Sequence, residues 1–382
     1  MLYLIQRGGV NDIYDNIWVK YYSHKFSKKA RSNEFKSIAD SFPISASQKH
    51  QIDELYKECL GRKISYRWHQ YFAAHSGAFT PEYFPDFLLH AYFEHYMNFN
   101  NHYPFVFEDK NVLPYIAQSA GVLMPKTILS RVCGVMRNGN NEIVDIENAI
   151  EILVKAGKAF CKPSTGSCGG KGCFIKDFST EIDKNEVAEI LTSLGNDFII
   201  QEPIKCHQSI KALYPTAVNT FRVITYRWKD EFVHMPVFMR IGRGGAVVDN
   251  GASGGMFIGV RDDGSLTDYA VTHNEVRIPV HPDTGFVFKG HNIANFDAVL
   301  NAALKMHKMI PQVGLVYWDF TINESGIPVL IECNILNGTV YAIQMTHGVG
   351  PFGSKTPEVL SWIRKMSSLP KSKRHNYAFG KM

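Results

Sequence analysis

The sequence predicts an α+β fold with much antiparallel sheet and a helical region ahead of it. Three observations lead there. The first 105 or so residues read as helical and rich in aromatic side chains. From about residue 106, helix signals alternate with short β-branched runs. Beyond residue 220 those runs come in hairpin-like pairs separated by turn residues.

In the N-terminal region, Ser45 or Ser47 can cap a helix through Leu60, stopped by Gly61. Pro81 suits the first turn of another, Glu82 to Met97. His90, Glu94 and His95 on that helix resemble a zinc-protease signature, but the spacing is one residue too long for the inverted motif. It reads as a partly buried aromatic helix. Asp109-Lys110 opens a helix that ends near Gly121, and Val122 to Leu129 reads as a strand. Residues 147 to 157 are periodic and helical, Ala159 to Lys162 is a short strand, and a glycine-rich loop leads to a strand at Phe174 to Lys176. Asp183 to Leu194 is a helix and Phe198 to Gln201 an apolar strand ended by Pro203. Two hairpins follow, Thr220 to Trp228 with Phe232 to Ile241, and Gly314 to Ile322 with Val329 to Asn334, with a helix at residues 295 to 309 between them. No repeat or low-complexity segment interrupts the chain.

Composition excludes several classes. The 382 residues are 45% hydrophobic and 20% charged, which suits a globular protein of two or three packed units. A net charge of +5 is too mild to argue for nucleic acid. The basic runs Lys25, Lys28, Lys29, Arg31 and Lys371, Lys373, Arg374 read as solvated termini. Seven cysteines at irregular spacing fit no metal motif and read as reduced thiols. No apolar stretch approaches the ~20 residues a membrane helix needs, and the N-terminus carries no signal peptide pattern. A cytoplasmic protein is the expectation.

Two segments carry chemistry. Lys162-Pro163-Ser164-Thr165-Gly166-Ser167-Cys168-Gly169-Gly170-Lys171-Gly172 leaves backbone N–H groups approachable and able to wrap phosphate oxygens. It is neither a P-loop nor a dinucleotide fingerprint, and a plain flexible hairpin would also account for it. Lys162, at a strand end directly before the loop, favours the phosphate reading. Near the C-terminus, a turn centred on Ser325-Gly326 places Asp319 opposite Glu332, with Asn334 two residues along on the same face. Carboxylates opposed at roughly 5 Å repel, so the pair calls for a cation, and all-oxygen ligands beside phosphates suit Mg²⁺. On this reading Asp319→Asn abolishes turnover yet leaves the metal-free fold intact or more stable, because repulsion is relieved. A solvent-facing pair at a sheet edge is the bland alternative. Between these segments, Gln201-Glu202-Pro203-Ile204 leaves an apolar strand with backbone groups suited to an adenine edge. Arg222 stands among strand apolars and wants an anion. Arg240 and the loop Asn250-Gly251-Ala252-Ser253-Gly254-Gly255 form a second anion-friendly region, while Arg243 reads as a surface arginine.

Taken in order, these pieces resemble the ATP-grasp superfamily, in particular its sugar-transfer associated branch, over roughly residues 105 to 350. The resemblance implies antiparallel sheets sandwiching the nucleotide, an ATP-grasp domain over 106–365 with a lid at about 130–205, and a basic tail at 366–382. It implies ATP and Mg²⁺ as cofactors. Lys110 and Lys162 match the two nucleotide lysines, Ser164, Gly166, Gly169 and Gly170 the phosphate loop, and Gln201 to Ile204 the adenine hinge. His207 falls at the ribose position, usually an acid. Lys162 and Arg222 match positions that face the phosphates, and with Arg240, which suits an anionic acceptor, they are the expected catalytic residues. Asn250, Ser253, Gly254 and Gly255 match the acceptor segment, and Asp319, Glu332 and Asn334 the metal ligands. His281 to Gly285 either borders the acceptor or is a mere loop. The implied reaction is ADP-forming ligation, in which a carboxylate becomes an acyl phosphate and an amine attacks it, on a sugar or polysaccharide precursor. A kinase acting on a hydroxyl and a non-catalytic ATP-binding component of glycan assembly are the competing readings. Partners are then small molecules; the oligomeric state is unreadable.

Overall fold

Two antiparallel sheets organise the protein. The computed structural model describes residues 10–98, 103–166, 170–179, 183–246 and 254–382. The smaller sheet is built from β1 Thr127–Val132, β2 Val135–Asn138, β3 Lys158–Pro163, β4 Phe174–Asp177 and β5 Phe198–Gln201, in the order β2-β1-β5-β3-β4. The larger contains β6 Thr220–Trp228, β7 Glu231–His234, β8 Val237–Ile241, β9 Met256–Val260, β10 Leu266–Val271, β11 Leu315–Ile322 and β12 Pro328–Asn334. Its order is β10-β9-β8-β6-β11-β12, with β7 also beside β6.

The N-terminal helices are α1 Val10–Lys29, α2 Asn33–Asp40, α3 Ala46–Leu55, α4 Arg67–Ser76, α5 Asp86–Leu88 and α6 Glu94–Met97, the last two joined by a π-helical turn at Leu89–Phe93. Ser45 caps α3 in a full capping box with Gln48, and Gly61 closes the π turn that follows it at φ 82°, where a side chain would be strained. The expected helix from Glu82 begins instead at Asp86. Pro85 disfavours helical backbone at Phe84 and serves as the cap.

Helices α7 Tyr103–Phe107, α8 Leu113–Ser119, α9 Ile146–Ala156 and α10 Lys184–Ser193 precede or flank the small sheet. Helix α9 is capped by Asp145 and turns Ala149, Ile150 and Leu153 onto Leu129, Phe198 and Ile200. After β5 come α11 Gln208–Lys211, α12 Phe296–Met309, α13 Tyr341–His347 and α14 Thr356–Ser368.

Strand β11 is buried along its whole length because the large sheet is covered on both faces. Val223, Val316, Trp318 and Phe320 pack against α12 through Phe296, Val299, Ala303 and Met306. Ile224, Tyr226, Leu315 and Tyr317 face the aromatic N-terminal helices together with α13 and α14. The second expected hairpin arm, 232–241, is two strands, because Pro236 cannot donate to a ladder. The C-terminal basic run is not a free tail. Trp362 Nε1 donates to Tyr377 O at 2.7 Å, and Arg374 lies 5.0 Å over the Tyr96 ring.

Candidate active site

The acid pair is set by a bulge. From Ile322↔Pro328 to Phe320↔Leu330 the β11–β12 hairpin pairs about Ser325; the register then shifts, and Asp319 faces Glu332, Trp318 faces Cys333 and Tyr317 faces Asn334. Without the extra residue on β12, Asp319 would oppose Ile331. The expected pairing is therefore present, but a bulge makes it rather than the turn. Asn334 Nδ2 donates to Glu332 Oε1 at 3.2 Å and approaches Asp319 Oδ2 at 3.5 Å.

The cation expected between the two acids is already partly supplied by the protein. Strand β6 lies on the other side of β11 and pairs Arg222 with Asp319. Arg222 Nε and Nη2 donate to Asp319 Oδ1 and Oδ2 at 2.6 and 3.2 Å, and Arg240 Nη2 lies 2.8 Å from Oδ2. Arg240 also donates to Thr220 Oγ1 at 2.9 and 3.0 Å. Burial alone would raise the Asp319 carboxyl, yet the two guanidiniums hold it well below the usual carboxylate range. Glu332 behaves oppositely: burial and the adjacent Asp319 raise its carboxyl, against Lys110. Without a ligand Glu332, not Asp319, is therefore the member of the pair whose charge is disfavoured. Two carboxylates and an amide on one sheet face fit the oxygen-donor preference of Mg²⁺, and a divalent ion would favour the charged form of Glu332.

The lysines arrive from the small-sheet side. Lys110 precedes α8; its N–H donates to Ser164 O at 3.0 Å, and its Nζ lies 3.8 Å from Glu332 Oε2. Lys162, on β3 opposite Ile199, is 3% exposed. Burial and then Lys110 lower its ammonium to about 8. Lys110 stands close enough to depress Lys162, and an added anion would relieve that repulsion.

The other expected residues divide. Ser164 is buried and tied through its N–H to Asp197 O, whereas Gly166 is exposed at φ 69°. Gly170 has φ 78°; Gly169 lies outside the described residues. Gln201 is buried, with Nε2 on Pro125 O at 3.0 Å and Oε1 without a partner. The Glu202 N–H is taken by Lys126 O, and its carboxylate meets Lys126 at the surface. Pro203 and Ile204 carry the chain away from β5 without regular structure. The next residues bond to the acid hairpin, Glu324 N to Lys205 O and His207 N to Ile322 O. His207 Nδ1 caps α11 by accepting from Ser209 N, so its ring serves the fold first. Asn250 and Ser253 lie outside the described residues; Gly254 and Gly255 lead into β9, whose Met256 pairs with Ile241, the residue after Arg240. Arg243 pairs with Glu275 at 2.7 Å, as a surface arginine would. His281 is buried and bonded to Gly242 O at 2.9 Å.

Sequence reasoning missed how residues 22 to 108 hold the segment that follows Asn334. Glu108 accepts from Ile335 N at 2.6 Å and Leu336 N at 3.3 Å, and Glu94 from Asn337 N at 2.7 Å and the Tyr317 hydroxyl at 3.1 Å. Asn98 bonds Leu315 and Ile335, and Tyr22 bonds Asn337. A Cβ on Gly338 would sit 2.2 Å from the Tyr317 ring, so only glycine permits this close return. The one available signal was a carboxylate, Glu94, amid an otherwise aromatic helix.

Two antiparallel sheets that bring lysines together with arginines and acids give a charge arrangement suited to a polyanion. The model of the sugar-transfer associated ATP-grasp family matches residues 88–356, and the chain belongs to that family. Comparison with curated proteins finds no match. Among solved structures, the chain is similar to an ADP complex of N5-carboxyaminoimidazole ribonucleotide synthetase at 13% identity, over 61% of this chain and 46% of that one, with TM-score 0.37. It is similar to D-alanine–D-alanine ligase from Bacillus anthracis at 16% identity, over 72% and 70% of the two chains, with TM-score 0.39. It is also similar to the VanG D-Ala:D-Ser ligase from Enterococcus faecalis at 14% identity, over 67% and 61%, with TM-score 0.39. The chain spans about half the length of the first of these.

Proposed function

We propose that this chain is an ADP-forming ligase that uses ATP to activate a carboxylate, on a sugar or polysaccharide precursor, for attack by an amine. One observation carries the reading. Lys110, Lys162, Arg222 and Arg240 gather around Asp319, Glu332 and Asn334 from both sheets. Cations so placed offset charge as a γ-phosphoryl group passes to an incoming oxygen. A carboxylate nucleophile is already ionised at pH 7 and needs no general base. The two histidines expected to border the site, His207 and His281, are held by backbone groups. Family membership supports ATP use, and its sugar-transfer association supports a sugar-linked acceptor.

In this reading Lys110 and Lys162 bind phosphate oxygens, with Ser164, Gly166 and Gly170 beside them. Gln201 to Ile204 lines the adenine, and Gly254 and Gly255 flank the acceptor. The five-stranded sheet is the lid. Asp319, Glu332 and Asn334 would hold Mg²⁺, which offsets phosphate charge when bound.

ATP binding should take up a proton. Lys162 titrates near 8 in the free protein, and phosphate oxygens favour its charged form. At pH 8.5, uptake of roughly 0.7 proton per nucleotide is expected, falling toward zero at pH 6.5. Calorimetry in buffers of different ionisation enthalpy measures it, and no uptake at pH 8.5 would separate Lys162 from the phosphates.

The reaction is tested by hydroxylamine trapping with a panel of hexuronates and nucleotide-linked sugar acids. A ligase yields a hydroxamate together with ADP and free phosphate. A stable phosphorylated product without free phosphate establishes a kinase instead.

A further inference from the structure

Where the N-terminal helices meet the large sheet there is a cavity of about 370 Å³, separate from the lysine cleft. Lys29, Ser32, Phe35 and Tyr71 line it from the helices, His273 and Asn274 from the loop after β10, and Glu34 stands at its exposed rim. Lys29 closes α1. Among the described residues no carboxylate lies within 4.0 Å of its Nζ, and its nearest recorded partner is the Tyr341 ring at 5.0 Å. The charge that faces it from within is Asp86, itself fully buried, with one carboxylate oxygen unpartnered and its carboxyl raised by burial. Lys25 adds positive charge from α1, and burial lowers His273 to about 4, so that ring is neutral near pH 7. Burial lowers the Lys29 ammonium against the pull of Asp86, so an anion entering the cavity would favour its charged form.

Its walls suit a small hydroxylated ligand. Ser32 Oγ accepts from Phe35 N, which leaves its hydroxyl proton to donate, and Asn274 adds an exposed amide. The volume is near the lower end of small-molecule sites and matches one hexose unit rather than a chain. A chain of aromatic contacts leads from the cavity wall toward Arg240. Tyr341 lies 4.6 Å from His273 and 5.7 Å from Phe257, and Phe257 pairs with Arg240 across the ladder.

We propose that this cavity is a recognition site for an anionic, hexose-sized group of the acceptor substrate, with Lys29 pairing the anion and Ser32 and Asn274 bonding hydroxyls. The assignment as an acceptor subsite rests on the ligase reading of the neighbouring cleft; binding itself does not, and is measured without nucleotide. Glucuronate, glucose 6-phosphate and glucose are titrated into the full chain by ligand-observed NMR. Both anions are expected to bind at least tenfold more tightly than glucose, and their ratio reports whether carboxylate or phosphate is preferred. Lys29→Gln should remove that preference while ATP affinity stays within twofold, and Asn274→Ala, on an exposed loop, should weaken all three sugars. Equal binding of glucose and the anions, no binding of either anion, or wild-type behaviour of Lys29→Gln would overturn the proposal. If the anions bind but no acid yields a hydroxamate, the site stands and the ligase reading falls.

Discussion

Asp319→Asn is expected to destabilise the nucleotide-free protein by about 3 kcal/mol, the low end of the cost of breaking a buried ion pair from one side. Glu332→Gln is expected to stabilise it by about 1 kcal/mol. Both should abolish turnover. The opposite signs follow from the geometry. Asp319 is fully buried against Arg222 and Arg240, so neutralising it strands two guanidiniums. This reverses the expectation from sequence that relieving carboxylate repulsion leaves the Asp319 variant as stable as wild type, or more so. Repulsion is borne by Glu332, whose raised carboxyl marks it as the member that would rather be neutral. The pH dependence separates the two. Asp319 has a depressed folded-state pKa, so its stabilisation is present above the unfolded value of about 3.9 and is lost only as pH falls through the lower folded value. Glu332 has a raised one, so the folded state is favoured below about 4.3 and that advantage is lost as pH rises through the folded value. Urea unfolding between pH 4 and 8 should show Glu332→Gln gaining on wild type as pH rises. An Asp319→Asn variant as stable as wild type at pH 7 would mean the arginines do not depend on this carboxylate.

Lys162→Met should weaken ATP binding by at least tenfold, roughly 1.5 kcal/mol for a charge-assisted contact, while raising stability at pH 7. The lysine is buried beside Lys110 and titrates near 8, so folding disfavours its charge. Its contribution to stability is present above the unfolded value of about 10.4 and is lost as pH falls toward 8. Wild type should therefore become more stable from pH 8 to 10, relative to the methionine variant. Isothermal calorimetry and thermal unfolding read the two effects. Unchanged nucleotide affinity would remove Lys162 from the site, and a large loss of stability would show that its ammonium has a structural partner.

Much of the architecture was legible from local signals. The strand at Phe198–Gln201, the pair of hairpins and the helix at Phe296–Met309 follow from β-branched runs, turn residues and apolar periodicity, all of which act over a few residues. The facing of Asp319 and Glu332 was also legible, because opposed positions in a hairpin depend only on the turn and the count between them. Even there the reason was misread, since a bulge at Ile331 is a local irregularity with no sequence signature in this hairpin.

What only the tertiary structure decided is which strands and helices meet. Nothing in the 86 residues between β6 and β11 announces that they are neighbours, yet that adjacency lays Arg222 beside Asp319 and, with β8, adds Arg240. Without it the acid pair looked repulsive; with it, Asp319 is a buried counter-ion and Glu332 is the acid whose charge is disfavoured. The same holds for Glu94, Glu108 and Lys29. The partners described above lie 223 or more residues away, or in a cavity that exists only where the helices meet the sheet. Local sequence determines backbone preference within a few residues. Charge compensation is a through-space property, and it is known only once the chain has brought distant residues together.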